Sequence, residues 1–132
     1  MTEASNPFKR AVSSAQVPST TPGPRAPVRD VLERIGDKWS VIVICRLDGG
    51  PRRFNELRRL TDGITQRMLS LTLRRLERGG LVSRTVFPTV PPQVEYELTD
   101  RGRSLHEVLS RLVEWTDTHL TGIETSRARY DA

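Results

Sequence analysis

Val28, Val31, Leu32 and Ile35 recur at i, i+3, i+4 and i+7, the spacing of one apolar helix face, and Gly36 follows as a stop signal. The next apolar stretch, Trp39-Ser40-Val41-Ile42-Val43-Ile44-Cys45-Arg46-Leu47, points two ways. Its β-branched run suits a buried strand on propensity alone, whereas Trp39, Ile42, Val43 and Leu47 share one helical face. A run apolar nearly all round fits the central helix of a small domain, so helix is preferred, closed by Asp48-Gly49-Gly50-Pro51. Phe54, Leu57 and Leu60 make a short helical stripe that breaks at Thr61-Asp62-Gly63. Thr65 is then a good N-cap for a longer helix. Its stripe is Met68, Leu69, Thr72, Leu73 and Leu76, with Gln66, Arg67, Ser70, Arg74, Glu77 and Arg78 on the other side and Gly79-Gly80 at its end.

A helix, a short Gly-containing turn and a second amphipathic helix form the helix-turn-helix arrangement. After it, residues 81–86 and 94–98 alternate as half-buried strands do, joined by Phe87-Pro88-Thr89-Val90-Pro91-Pro92-Gln93. The expected fold is therefore mainly α with a small two- or three-stranded antiparallel sheet, a winged helix-turn-helix. Thr99-Asp100-Arg101-Gly102 opens a last helix. Its Leu105, Val108, Leu109, Leu112, Val113, Trp115 and Leu120 exceed what the edge of one small domain needs, so a partner surface is expected, with a second copy of the chain its simplest occupant. Residues 1–27 carry five prolines with many Ser and Thr and read as a flexible arm, although Phe8, Val12 and Val17 leave open that a short piece docks on a partner. The folded domain is expected over 28–122 and a C-terminal tail over 123–132.

Composition narrows the chemistry. The chain has 132 residues, 36% of them hydrophobic, and one cysteine, which excludes a disulfide-stapled scaffold. No apolar run approaches the roughly 18–20 residues that span a bilayer, and the N-terminus lacks an apolar signal core. A soluble, cytoplasmic protein with no membrane partner is the expectation. Of 21 basic residues all but Lys9 and Lys38 are arginine, and the net charge is +5. Residues 52–84 hold nine arginines against Glu56, Asp62 and Glu77, a net +6 that leaves −1 for the remainder. Scattered arginines usually mean a solvated face. Concentrated among helical apolar positions and turn signals, they favour an anionic partner, with double-stranded DNA first and a membrane surface second.

Enzyme chemistry has little support. His106 and His119 both fall on the last helix with no cysteine or clustered acids to complete a metal site, and there is neither a Gly-rich phosphate loop nor a Ser/His/Asp set in a supporting context. No metal and no cofactor are expected. A basic protein-interaction adaptor without sequence-specific DNA binding is the alternative from a different class.

A helix entering the major groove reads bases with the side chains of its first turns. That nominates Thr65, Gln66, Arg67 and Ser70, with Arg74 at the groove edge. Arginine can bond guanine at O6 and N7 together, and glutamine can do the same at adenine N6 and N7. Thr65 is equally accounted for as an N-cap alone, whereas for Gln66 and Arg67 groove contact is preferred, with a phosphate contact the alternative for Arg67. Arg74, Arg75 and Arg78 suit phosphate or solvent. Arg52 and Arg53, ahead of the first helix of the motif, can clamp a backbone phosphate. Arg84 is the cation nearest a wing whose tip has no Lys or Arg, so that wing is expected to lie along the backbone rather than enter the minor groove. Tyr96 reads as a half-buried anchor and Glu95 as a partner for a helix arginine.

Five motifs in register make the chain resemble the HxlR-type transcriptional regulators, a winged-helix family related to the MarR group. They are Ile35-Gly36-Asp37-Lys38-Trp39, Arg53-Phe54-Asn55-Glu56-Leu57, Gly63-Ile64-Thr65-Gln66-Arg67-Met68-Leu69, Leu73-Arg74-Arg75-Leu76-Glu77-Arg78-Gly79-Gly80-Leu81-Val82, and Val90-Pro91-Pro92-Gln93-Val94-Glu95-Tyr96-Glu97-Leu98-Thr99 with Gly102 after it. The resemblance covers about residues 28–119. It implies a homodimer on a pseudopalindromic operator, expected to repress, nucleoid-associated when bound, with dimer contacts from the first and last helices: Val28, Val31, Leu32, Leu109, Leu112 and Trp115. It also implies a cavity for a small-molecule effector near Trp39, Cys45 and Trp115. One departure stands out. Members of the family that sense oxidants carry a cysteine followed by proline just ahead of the first helix, where this chain has Ala26-Pro27. The one thiol, Cys45, lies in the apolar run, where a buried thiol is protonated and inert, so a thiol switch is not carried over.

Overall fold

Asp37 and Thr65 each offer a side-chain oxygen to a backbone N–H that has no helical partner, and so fix where two helices begin. Asp37 Oδ1 accepts from Trp39 N–H at 3.3 Å and Thr65 Oγ1 accepts from Met68 N–H at 3.1 Å. The computed structural model describes residues 23–132. Its elements are α1 (Ala26–Ile35), α2 (Lys38–Leu47), β1 (Arg52–Arg53), α3 (Phe54–Leu60), α4 (Gln66–Arg78), β2 (Val82–Phe87), β3 (Gln93–Leu98) and α5 (Asp100–Asp131). The chain divides into two units, Met1–Leu32 and Glu33–Ala132. In the first, the described part is a short lead-in without regular secondary structure and the opening of α1, where Val28, Val31 and Leu32 are all exposed. The rest of the expected arm, with Phe8, Val12 and Val17, lies outside the described residues.

In the second unit the ambiguous apolar run is helix α2. Its buried side is Ser40, Val43, Ile44 and Leu47, so the face turned to the core is displaced from Trp39 and Ile42, which are half-buried. A helix surrounded by others can bury a wide arc, which is why β-branched residues are accommodated here against their propensity. Around it the core is completed by Leu57 of α3, Ile64 of the turn before α4, Leu69, Leu73 and Leu76 of α4, Leu81, Val82 and Leu98 of the wing, and Leu109 of α5. Partly buried apolar side chains packed against that core are Ile35, Trp39, Val41, Phe54, Met68, Tyr96 and Leu105.

The fold is mainly helical with a three-stranded antiparallel sheet in the order β1-β3-β2. β1 is only two residues long, too short to show alternation in the sequence, and is recruited by β3 through the pairs Arg52↔Tyr96 and Arg53↔Glu95. β2 and β3 pair from Val82↔Leu98 to Phe87↔Gln93. That register puts Val82 and Leu98 at the core and carries Arg84, opposite Tyr96, out along the same face. The tip between them includes a cis Val90–Pro91 peptide.

The wing is tied to the helices at one crossing. Gly80, with φ +73°, turns the chain out of α4. Thr99 Oγ1 donates to the Gly80 carbonyl at 2.6 Å and accepts from Gly102 N–H at 3.1 Å, while Thr99 N–H donates to the Leu81 carbonyl at 3.1 Å. Gly102 is buried there, and a Cβ on it would collide with the Leu81 carbonyl.

α5 corrects one expected boundary. Residues 123–131, read as a tail, continue the helix, because Gly122 keeps helical backbone angles and no proline follows. Thirty-two residues make a rod, about 48 Å long at 1.5 Å per residue, of which only Gly102 and Leu109 are buried.

Gly102→Ala is expected to destabilise the protein by about 1–3 kcal/mol through overpacking of a backbone crossing, read as a lower urea midpoint with an unchanged m-value. Gly122→Ala, in open space, should hold or raise that midpoint.

Candidate nucleic-acid interface

Helix α4 is held by one side and free on the other. Leu69, Thr72, Leu73 and Leu76 are buried. The opposite ridge runs Arg67, Leu71, Arg74 and Arg78, at i, i+4, i+7 and i+11. Its three arginines are exposed, with no hydrogen bond or ion pair among the described residues. Thr65 and Gln66 are exposed at the start of the helix, and Ser70 is half-buried on the flank. Thr65 caps the helix, so its hydroxyl is already engaged as an acceptor.

Two clefts flank the wing. The first, about 370 Å³, lies between α4 and the sheet and is lined by Ser70, Leu73, Arg74, Glu77, Arg84 and Tyr96. It therefore brings together three of the nominated residues, Ser70, Arg74 and Arg84. The second, about 690 Å³, lies between α3 and the outer end of β3 and includes Arg53, Asn55, Arg59 and Gln93. Sequence reasoning missed Leu71, although its place on the helical ridge was readable. It missed Arg59, Asn55 and Gln93 too, and took Tyr96 only as an anchor. Tyr96 joins Arg74 and Arg84 in the first cleft through the β2–β3 register, and Asn55, Arg59 and Gln93 meet in the second through the docking of the wing, neither of which periodicity encodes.

Arg52 and Arg53 part company. Arg52 is half-buried: Nε donates to the Arg46 carbonyl at 2.9 Å, and its guanidinium pairs with Glu56 at 3.4 Å. Glu56 also accepts from Arg53 N–H at 3.2 Å, closing the start of α3. Arg52 is thus bound into the joint between α2 and α3, whereas the Arg53 side chain is exposed.

Leu109, expected on a partner surface, is 7% exposed and belongs to the core of its own chain, one consequence of α5 crossing α2. Leu112 and Trp115 are 56% and 53% exposed, and Val108 and Leu120 join them. The Trp115 ring stacks on His119 with centroids 4.3 Å apart. His106 Nδ1 lies 3.3 Å from Asp48 Oδ1 and its Nε2 lies 3.3 Å from Ser110 Oγ, which pins the start of α5 to the end of α2. Trp39 is half-buried with the Lys38 ammonium 4.6 Å from its ring centre. Cys45 is half-buried, and burial pushes its thiol up, a rise that Arg46 opposes and Asp48 adds to. Among the described residues no group of three or more His, Cys, Asp or Glu is placed to hold a metal ion, and no helix is long and apolar enough to cross a membrane.

The family model for HxlR-like helix-turn-helix proteins matches residues 34–124. The chain belongs to this family. Among HxlR-like relatives, the HTH-type transcriptional regulator YtcD of Bacillus subtilis is 45% identical over 73% of this chain and 76% of its own length. Among solved structures, the transcriptional regulator ytfH from Salmonella typhimurium superposes with a TM-score of 0.72 at 34% identity, over 77% of this chain and 91% of that one. The redox regulator HypR in its reduced form gives a TM-score of 0.70 at 44% identity, over 76% of this chain and 99% of HypR. This HxlR-like chain is accordingly a transcriptional regulator of the helix-turn-helix type and not an enzyme.

The two neighbouring arginines give a direct check on this site. Arg52→Ala should lower stability by about 1 kcal/mol, the worth of a partly screened hydrogen-bonded cation, while Arg53→Ala leaves the urea midpoint in place.

Proposed function

We infer that the protein binds double-stranded DNA sequence-specifically as a homodimer on a pseudopalindromic operator and acts as a repressor. The observation that carries this reading is the ridge of exposed, unpaired arginines on α4, a helix whose other face is anchored in the core. Gln66, Arg67, Thr65 and Ser70 are assigned to base edges and Arg74 to the groove edge. A DNA strand passing from major to minor groove crosses the gap between recognition helix and wing. Arg74 and Arg84 in the 370 Å³ cleft suit its phosphates, and Arg53 suits a phosphate on the other side of the wing.

Dimerisation is assigned to the exposed apolar residues of the terminal helices, Val28, Val31 and Leu32 on α1 and Leu112 and Trp115 on α5. An effector entering near Trp39, Cys45 and Trp115 would act beside that interface, and residues 1–27 are assigned as an accessory arm. A cytoplasmic location, on the nucleoid when bound, goes with this role. Two recognition helices related by a two-fold axis should protect half-sites about 10 bp apart, or a multiple of that. Footprinting should show this symmetry, and a single asymmetric half-site would refute it. Arg67→Ala should weaken operator binding by about 1–3 kcal/mol and relax preference at one base position. Uniform weakening on operator and scrambled DNA would instead mark a phosphate contact, and no preference between the two DNAs at moderate salt would favour a basic adaptor.

HypR is named a redox regulator, but in this chain the one thiol is Cys45 and its pKa is raised by burial. Diamide at concentrations that oxidise exposed thiols should therefore leave DNA binding unchanged in gel-shift assays, with release that reductant reverses as the contrary result.

A further inference from the structure

Leu71 is an apolar side chain where the outward ridge of α4 otherwise carries arginine. It sits four residues after Arg67 and three before Arg74, on the side of the helix opposite Leu69, Thr72, Leu73 and Leu76. It is half-buried, yet it is not among the partly buried apolar residues packed against the core, nor does it line the cleft with the wing. By helical spacing it falls on the ridge that carries Arg67, Arg74 and Arg78. An isobutyl group has no donor or acceptor for a base edge or a phosphate. In the major groove the one apolar feature that distinguishes a base pair is the C5-methyl of thymine.

We propose that Leu71 is a specificity-determining residue that reads a thymine methyl group in each half-site. This rests on α4 being the helix that enters the major groove. The neighbouring arginines hold the helix against the groove by their charge, and the leucine then gains by removing two apolar surfaces from water, a contact that any other base at that position lacks. Met68 does not compete for this role, because it is packed on the core. Thr65 is the other methyl-bearing side chain at the start of the helix, and the variant below separates the two.

The test uses the full-length protein and duplex DNA selected by it from a random pool. Each thymine of the selected site is replaced in turn by deoxyuridine, which lacks only the methyl group. One position per half-site should lose about fourfold in affinity, the worth of one buried methyl, and Leu71→Ala should bind the two DNAs equally. Alanine on a helix face turned away from the core keeps the fold, which circular dichroism and the urea midpoint verify. Leu71→Gln, selected against the same pool, should replace that thymine by adenine. The proposal is overturned if no thymine shows methyl sensitivity, if the sensitivity persists in Leu71→Ala (which would point to Thr65), or if Leu71→Gln still selects thymine. If the wild-type protein enriches no sequence at all, the reading of α4 as a base-reading helix fails with it, an outcome distinct from specific but methyl-insensitive binding.

Discussion

The geometry of the surface shared by α4 and the wing depends on the crossing of Gly80-Leu81 with Thr99-Gly102. One threonine closes it from both sides, donating to the Gly80 carbonyl and accepting from Gly102 N–H, with its own backbone bonded to Leu81. Because the two ends of the wing meet there, the angle between α4 and the sheet is set by short backbone contacts rather than by side chains that can repack. Gly102 is required for the approach, since any Cβ would occupy the place of the Leu81 carbonyl. The same threonine starts α5, so α4, the wing and the long terminal helix share one joint.

Charge is sorted by that scaffold into two kinds. Arg52, Arg101 and Arg103 donate to backbone carbonyls at Arg46, Gly79 and Leu98, so they belong to the joints between elements. Arg67, Arg74 and Arg78 have no such partner and project from the outer side of α4. Net charge alone does not separate these roles, for a guanidinium held on a carbonyl contributes to the long-range field but has fewer free donors, and less freedom to aim them, for a phosphate. Glu77 in the cleft beside Arg74 and Arg84 lowers the local positive potential, which favours contacts that depend on geometry over charge alone.

α5 shows the opposite balance. Its beginning is secured by Leu109 in the core and by His106 against Asp48, while Val108, Leu112, Trp115 and Leu120 leave an apolar surface in solvent. A monomer with that surface pays the hydration cost of several large side chains, and burying them against a copy of the same chain is the simplest relief. Cys45 sits on α2, which α5 crosses, half-buried and protonated at neutral pH, closer in character to a small apolar side chain than to a sensor.

Much of this was determined by the sequence itself. The spacing of Leu57, Leu69, Leu73 and Leu76, the cap at Thr65 and the glycines at 79 and 80 prescribe the helix-turn-helix, because local periodicity and capping are properties of neighbouring residues. The arginine-rich stretch of residues 52–84 and the departure at Ala26-Pro27 are equally local facts. Tertiary structure alone decided which arginines remain free, that Leu109 turns inward, and that two residues at 52–53 become a strand. Each of these depends on a partner outside its own element: a carbonyl at 46, a core built from several elements, or a β3 strand more than forty residues later. Periodicity states what a residue prefers to face, but only the folded chain determines what is there to be faced.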